Sequence, residues 1–358
     1  MSESRIARIQ ALLAERDLDA ALLVHLPHIR WAVGFSGSSG LLLVGRQEAH
    51  FLSDRRYETQ AREQVRGARV HTPGYQLLEH MVETGLMASY RRVLLQSEYT
   101  SLSQWEELRS RFPQVEWVPV AGFLDRERAV KDEEEREAIR QAVAITDRVF
   151  EEVLPLLRPG ISERELAAEI TYRQLRYGAE AVSFEPIVAS GPRSALPHGR
   201  ASDRVLEEGD VVVLDFGCVF RGYCSDMTRT VCIGRARDPE FAQVYRVVLE
   251  AQQRAIEVAR GGMVSRDLDA VARRIIEAHG YGAYFGHGLG HGVGLEIHEY
   301  PRVSFLADYP LPAGAVVTIE PGVYLPDRFG VRIEDIVWLT PDGAEVFTRS
   351  PKELIEVG

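Results

Sequence analysis

The chain has 358 residues, with 42 Lys and Arg against 53 Asp and Glu, a net charge of −11, and 45 % hydrophobic and 27 % charged residues. That composition is ordinary for a folded protein and excludes disordered, collagenous and coiled-coil chains. Acidic and basic residues are interspersed, which excludes a basic face for nucleic acid or anionic lipid.

Residues 5–16 carry Ile6, Ile9, Leu12 and Leu13 at helical spacing, and 20–24 reads as a buried strand. Residues 34–40 (GFSGSSG) form a loop, 41–44 a second strand, and 51–54 a third that runs into a charged helix over 55–65. Strands at 93–96 and 115–120 flank a helix over 103–111. Residues 1–124 are therefore expected to form an α/β domain without a catalytic cluster. The charge run at 125–140 marks the solvated start of a long helix, and the boundary falls just before it, leaving 125–358 as a second domain. A single core stops growing near about 250–300 residues, so two domains also suit the length. No stretch approaches the roughly 18 apolar residues of a membrane helix, and the N-terminal segment carries charges through its apolar stretch. Cys218, Cys224 and Cys232 are odd in number and lack a paired spacing, so the chain reads as an unexported protein of a reducing cytoplasm.

The second domain repeats itself. LEEGDVVVLDFG (206–217) aligns without a gap on LPAGAVVTIEPG (311–322), which pairs Asp215 with Glu320 at an offset of 105, and RPGISEREL (158–166) aligns on RGGMVSRDL (260–268) at an offset of 102. Each half reads helix, turn, helix, strands, which predicts two similar halves about a pseudo-twofold axis, with Asp215 and Glu320 as counterparts.

In VVVLDFG a carboxylate ends an apolar strand, where an unpaired charge is costly enough that it must neutralise, pair or bind metal. Glu320 in VVTIEPG is in the same position. Each strand turns and returns with a second acid, Asp226 in GYCSDMTRTV and Glu334 in GVRIEDIV. Between the units, HGLGHGVGLEIHEY (287–300) places His287, His291 and His298 among glycines that let backbone approach a crowded centre. Carboxylates with a single imidazole form a hard, oxygen-rich set that suits Mn²⁺ or Co²⁺ better than a thiolate zinc site, and bridging carboxylates suggest two ions. Arg332 shares a strand face with Glu334 and is placed either to buttress that acid or to reach a substrate carboxylate. Tyr324 is either strand packing or a hydrogen-bond donor beside the acids. Asp335 reads as a solvent- or backbone-facing neighbour, and Cys218 as a small buried hydrophobe.

Asp215, Asp226, His291, Glu320 and Glu334, with the strings SDMTRT, HGLGHGVGLEIHE and EPGVY, resemble the metal-binding pattern of the pita-bread metallopeptidases (family M24). His198 in ALPHG and the Arg332/Glu334 pair narrow the resemblance to the proline-specific branch, aminopeptidase P and prolidase. It covers residues 130–350, and HIRWAVGFSGSSGLLLV and SDRRYETQA extend it to that branch's creatinase-type N-terminal domain, with departures at His28 and Trp31. The resemblance implies an α/β two-domain chain and a centre of two divalent ions, Mn²⁺ first and Co²⁺ or Zn²⁺ as alternatives, held by those five residues. Glu320 is then the general base, His198 and His298 donate to the substrate backbone and the developing oxyanion, and His287 lies near the residue after the scissile bond. The substrate is a peptide with proline second, and a homodimer is implied, with the GFSGSSG loop closing the site of a neighbouring subunit. An Xaa-Pro aminopeptidase is the first expectation, because no insertion stands out that would block longer peptides, and an Xaa-Pro dipeptidase is the alternative. Methionine aminopeptidase shares the five ligands but would not need the 124-residue first domain or the arginine of GVRIED, and creatinase and a ligand-free binding module fit less well because all five ligands are present.

Overall fold

A computed structural model describes residues 4–74 and 76–357, and the chain divides into two compact units that meet between Leu124 and Asp125. No helix among the described residues is long and apolar enough to cross a membrane.

The first unit runs α1 (Arg5–Glu15), β1 (Ala20–Leu23), α2 (Leu26–Val33), β2 (Leu41–Gly45), β3 (Ala49–Leu52), α3 (Glu58–Gln64), β4 (Arg69–His71), α4 (Leu77–Glu83), β5 (Arg92–Gln96), α5 (Leu102–Arg111) and β6 (Glu116–Val120). Its six strands form one mixed sheet in the order β4-β3-β2-β1-β5-β6. The central strand β1 is buried on both faces, which explains its unbroken apolar run AALL. The helix expected over 55–65 begins later, because the Asp54 side chain accepts the Arg56 N–H and caps a 3₁₀ turn over Arg55–Tyr57 first. Helices α2 and α4 and the short strand β4 have no counterpart among the expected elements. In α2 the apolar face is interrupted by His28 and Arg30, so periodicity is weak there.

The second unit opens with α6 (Asp125–Ala129) and α7 (Glu133–Val153), two helices where one was expected. The break at 130–132 has clear causes. Lys131 N–H donates to the Gly314 carbonyl, Val130 bridges Ala315, and Asp132 restarts the helix through a capping box with Glu135. Then follow α8 (Glu163–Arg176), β7 (Ala181–Val182), β8 (Ile187–Ser190), β9 (Val211–Phe216), β10 (Cys218–Phe220), β11 (Tyr223–Cys224), β12 (Met227–Ile233), α9 (Phe241–Val258), α10 (Ser265–Ala278), β13 (Gly290–Gly292), β14 (Glu299–Val303), β15 (Val316–Ile319), β16 (Gly322–Leu325), β17 (Phe329–Arg332), β18 (Asp335–Leu339), β19 (Ala344–Val346) and β20 (Ile355–Val357).

The sequence repeat is a structural one. β9 pairs antiparallel with β12 around the small hairpin β10–β11, and β15 pairs antiparallel with β18 around the hairpin β16–β17. The turns before α8 and α10 close with matching backbone bonds. Gly160 and Glu163 donate to Leu206 and Arg204, and Gly262 and Ser265 donate to Leu311 and Tyr309. Helices α7 and α8 cover one half over a core of Val149, Phe150, Leu166, Val212 and Leu214, and α9 and α10 cover the other over Val248, Leu268, Ala272, Val317 and Val337.

A buried ionic knot ties the halves together. Arg229 Nη2 donates to Asp335 Oδ1 at 2.8 Å, and Arg229 also donates to the carbonyls of Thr228, Glu334, Ser350 and Pro351. Asp335 is fully buried rather than facing solvent, and its second oxygen accepts from Gln252 and Lys352. The sequence pattern hides this because its partners lie 17 to 106 residues away in the chain. Truncating one member of a buried ion pair leaves the other charge uncompensated and costs about 3–5 kcal/mol. Asp335→Ala is therefore expected to lower the urea midpoint by that equivalent, and a loss below about 1 kcal/mol would show the knot to be dispensable.

Candidate metal centre

The two hairpin units bring the sequence-marked acids together. Asp215 lies on β9, Asp226 immediately before β12, Glu320 immediately after β15, and Glu334 between β17 and β18. Asp215, Asp226 and Glu334 are buried and Glu320 is largely so. One ligand atom each from Asp226, His291 and Glu334 lies within 4.8 Å of the others. His291 Nε2 stands 3.3 Å from Glu320 Oε1 and 3.6 Å from Asp226 Oδ2.

Glycine is what lets His291 in. A Cβ on Gly290 would sit 2.1 Å from the Thr318 carbonyl oxygen, and one on Gly292 2.6 Å from that of Tyr300. The His291 Nδ1 is 3.2 Å from the Gly292 carbonyl, which assigns the proton to Nδ1 and leaves the Nε2 lone pair facing the acids. Burial pushes the His291 pKa down, so the ring is the neutral form a metal requires.

Two threonines hold the carboxylates, and sequence reasoning overlooked both. Thr228 Oγ1 donates to Glu334 Oε2 at 2.6 Å while accepting from Arg332 Nε at 3.0 Å. Thr318 Oγ1 donates to Glu320 Oε1 at 3.1 Å while accepting the His291 backbone N–H at 3.0 Å. The signal was available: Thr228 lies two residues after Asp226 and Thr318 two before Glu320, which puts each on its acid's face of the strand.

Arg332 does not bond to Glu334 directly. Its Nη2 donates to Asp215 Oδ2 at 2.5 Å, Nη1 donates to Tyr324 Oη at 2.8 Å and to the Pro197 carbonyl at 3.1 Å, and Nε donates to Thr228. With four contacts on the chain's own acceptors, this guanidinium buttresses the acids and is not presented to a substrate carboxylate. Tyr324 in turn lies 3.0 Å from His287 Nε2, whose Nδ1 is bonded to the Gly288 carbonyl at 2.8 Å. Both nitrogens of His287 are thus engaged, Nδ1 as donor and Nε2 as acceptor. His298 packs edge-on against His291 at 4.2 Å between centroids, and burial, helped by the His291 and His198 rings, lowers its pKa to about 4. His198 is exposed on the loop after β8, close enough for its charge to act on both His287 and His298.

The electrostatics of the acids are unfavourable as they stand. Burial raises the pKa of Asp226, Glu334 and Glu320, and the mutual repulsion of the cluster adds to each. Asp215 Oδ1 and Glu334 Oε1 are buried without a hydrogen-bond partner among the described residues. Orphaned, inward carboxylate oxygens beside a neutral imidazole fit a hard divalent cation.

Comparison with known proteins agrees with this geometry. Residues 137–341 match the Metallopeptidase family M24 model, and residues 5–130 match the Creatinase/Prolidase N-terminal domain. The chain belongs to metallopeptidase family M24. Its second unit is accordingly the pita-bread domain, and divalent metal is part of the family's chemistry. The chain is 36 % identical to the Xaa-Pro dipeptidase of Pyrococcus furiosus over 358 residues, covering 99 % of this chain and 100 % of that one. Among solved structures, the Xaa-Pro dipeptidase from Bacillus anthracis superposes with a TM-score of 0.95 at 38 % identity, covering 99 % of both chains. The X-Pro aminopeptidase from Thermotoga maritima gives 0.91 at 40 % identity, covering 98 % of this chain and 100 % of that one.

Carboxyl groups with raised pKa values hold protons that a cation must displace. In chelator-stripped protein these groups bind more protons folded than unfolded, so their contribution to stability falls as pH rises past the usual carboxylate range, and metal affinity rises with it. Titration of stripped protein with Mn²⁺ at several pH values in buffers of different ionisation enthalpy is expected to show proton release that diminishes as the pH rises. A binding heat independent of buffer would mean that the acids were already ionised.

Proposed function

We propose that this chain is an Xaa-Pro dipeptidase, hydrolysing dipeptides with proline in the second position at a two-metal centre of Mn²⁺, Co²⁺ or Zn²⁺. The observation that carries the hydrolytic reading is the convergence of Asp226, Glu320 and Glu334 on His291, with one oxygen each of Glu334 and the neighbouring Asp215 orphaned. Asp215, Asp226, His291, Glu320 and Glu334 would hold the ions, which when bound supply Lewis acidity and a water acidic enough to attack an amide near neutral pH.

The chain's own groups supply the rest. Glu320 Oε1 receives the Thr318 hydroxyl, which leaves Oε2 to take the proton of the attacking water and pass it to the proline nitrogen as the C–N bond breaks. His298, neutral at pH 7, and His198 would donate to the substrate carbonyl and the developing oxyanion. An Xaa-Pro amide has no N–H, so recognition must rest on its carbonyl, its ring and its termini.

The sequence alone favoured an aminopeptidase, through the lack of a blocking insertion. The dipeptidase is favoured here by the Pyrococcus and Bacillus relatives, and by one cation. A dipeptide ends in a free carboxylate just past the scissile bond, and Arg332 is occupied. Arg302, which sequence reasoning passed over, pairs with His291 across the β13–β14 ladder, so the two side chains leave the same face. It is exposed, its charge reaches His298, and its guanidinium has no acceptor among the described residues. The buried free cysteines are consistent with a reducing cytoplasm, and a homodimer follows the family resemblance, to be checked by sedimentation.

Metal-reloaded protein is expected to hydrolyse Ala-Pro well, Ala-Pro-Ala poorly, and Ala-Ala-Ala and Met-Ala-Ala not at all, with Glu320→Gln reducing turnover about 10²-fold or more. Faster cleavage of the tripeptide than of the dipeptide would return the enzyme to the aminopeptidase class. Arg302→Leu should raise KM for Ala-Pro by about 10–100-fold with little change in kcat, and leave Ala-Pro-amide, which lacks the carboxylate, unaffected. An equal effect on both substrates would remove Arg302 from recognition.

A further inference from the structure

His198 is exposed on a long loop, yet its proposed task requires it to stay in one place. The residue that accounts for this lies outside the metal centre. Glu163, the first residue of α8, is fully buried and sends its side chain away from its own helix. Oε1 accepts the backbone N–H of Ser190 at 2.8 Å and its hydroxyl at 2.7 Å. Oε2 accepts the backbone N–H of Ser202 at 2.9 Å, its hydroxyl at 2.6 Å, and Arg193 Nε at 3.1 Å. Ser190 and Ser202 are the two ends of the loop that carries His198. One carboxylate therefore closes the loop at its base, while its crest is held by Arg332 through the Pro197 carbonyl and by Gly330 N–H through Ser194 Oγ.

The repeat shows that the fold does not require a charge at this place. The equivalent turn before α10 closes with the same backbone bonds, and there the residue matching Glu163 is Ser265, whose hydroxyl donates to the Arg302 carbonyl and accepts the Ser304 N–H. A serine is enough to close the turn. The first half instead buries a carboxylate that accepts five hydrogen bonds, all from the loop, and these hold its pKa below the usual value against the cost of burial.

We propose that Glu163 is a positioning residue that fixes the His198 imidazole over the metal centre by clamping both ends of its loop. The proposal rests on the reading that His198 meets the substrate. It does not rest on dipeptide preference.

The test is a double-mutant cycle on kcat/KM for Ala-Pro with metal-loaded enzyme. Glu163→Gln keeps the shape but presents an NH₂ to the N–H and hydroxyl donors of one serine. It is expected to lower kcat/KM about tenfold alone and less than twofold in a His198→Ala background. Asp269→Asn serves as control, because Asp269 is an equally buried acid that accepts the Leu289 N–H beside the other histidine loop, and it should cost the same factor in both backgrounds. Ser202→Ala removes one clamp donor with less disturbance. It should behave as Glu163→Gln does with a smaller factor, which covers failure of the first variant to fold.

Equal losses in both backgrounds, or no effect of His198→Ala itself, would overturn the proposal. A second readout is independent of activity: in histidine-labelled protein, the His198 ring resonance, assigned by its disappearance in His198→Ala, is expected to shift or broaden in Glu163→Gln. An unmoved resonance would overturn the clamp. A moved resonance with no Xaa-Pro hydrolysis by the wild type would keep the clamp and reject the function.

Discussion

The repulsion among Asp215, Asp226, Glu320 and Glu334 is the constraint that the rest of the second unit answers. Folding brings four carboxyl groups into one largely buried space, and burial with the repulsion of neighbouring acids raises the free energy of ionising Asp226, Glu334 and Glu320. An apolar core would exclude them, and a surface cluster would relax by rotation into water. Here neither is available, because each acid sits at the end of a strand whose neighbours are packed on both faces. Arg332, the buried cation bonded to the cluster, satisfies one oxygen of Asp215 and leaves the other without a partner. A bound divalent cation would relieve the repulsion that remains.

The duplicated architecture explains how such a cluster can be held. Two hairpin units each deliver acids from a paired ladder, and each unit has its own helix pair behind it. Thr318 holds Glu320 within its own unit, and Thr228 reaches from the first unit to hold Glu334 of the second. Between the units, Arg229 crosses to Asp335 and to the carbonyl of Glu334 before it, so the two ladders cannot slide apart without exposing a buried charge. The geometry of the centre is thus over-determined from behind, which leaves its front, where the histidines lie, free to differ between the halves.

The parts legible in the sequence were those with local or periodic signatures. The acids at strand ends, the glycines around His291 and the two-half repeat all rest on short-range pattern, and they reappear as strand ends, close backbone approaches and matched hydrogen bonds. What stayed hidden depends on contacts distant in sequence. The split of α6 from α7 is imposed by Gly314 and Ala315, nearly two hundred residues away, and a charge run gives no sign of it. Asp335 reads as a neighbour of Glu334 on the opposite strand face, which is correct, but that face is covered by α9 through Gln252 and is not solvent. Arg332 was placed on the right face, yet whether it serves Glu334, Asp215 or a ligand depends on where Thr228 and Tyr324 fall, and no spacing rule fixes that.

The two arginines near the centre show why substrate class is harder to read than reaction class. Arg332 and Arg302 both lie on strands beside an acid or a histidine of the centre, and by residue type they are interchangeable. Burial separates them. Arg332 has exchanged water for Asp215, Tyr324, Thr228 and a carbonyl, so moving it to a ligand would leave those acceptors unsatisfied and Asp215 unpaired. Arg302 is exposed, so a ligand carboxylate, if it binds there as proposed, would displace only water from it. The interior cation is therefore committed to holding the acids, and the peripheral one remains available to a ligand, as the proposed function requires. In the proposed enzyme the chemistry would be set by residues whose contacts are all within the chain, and the specificity by residues whose contacts the substrate completes.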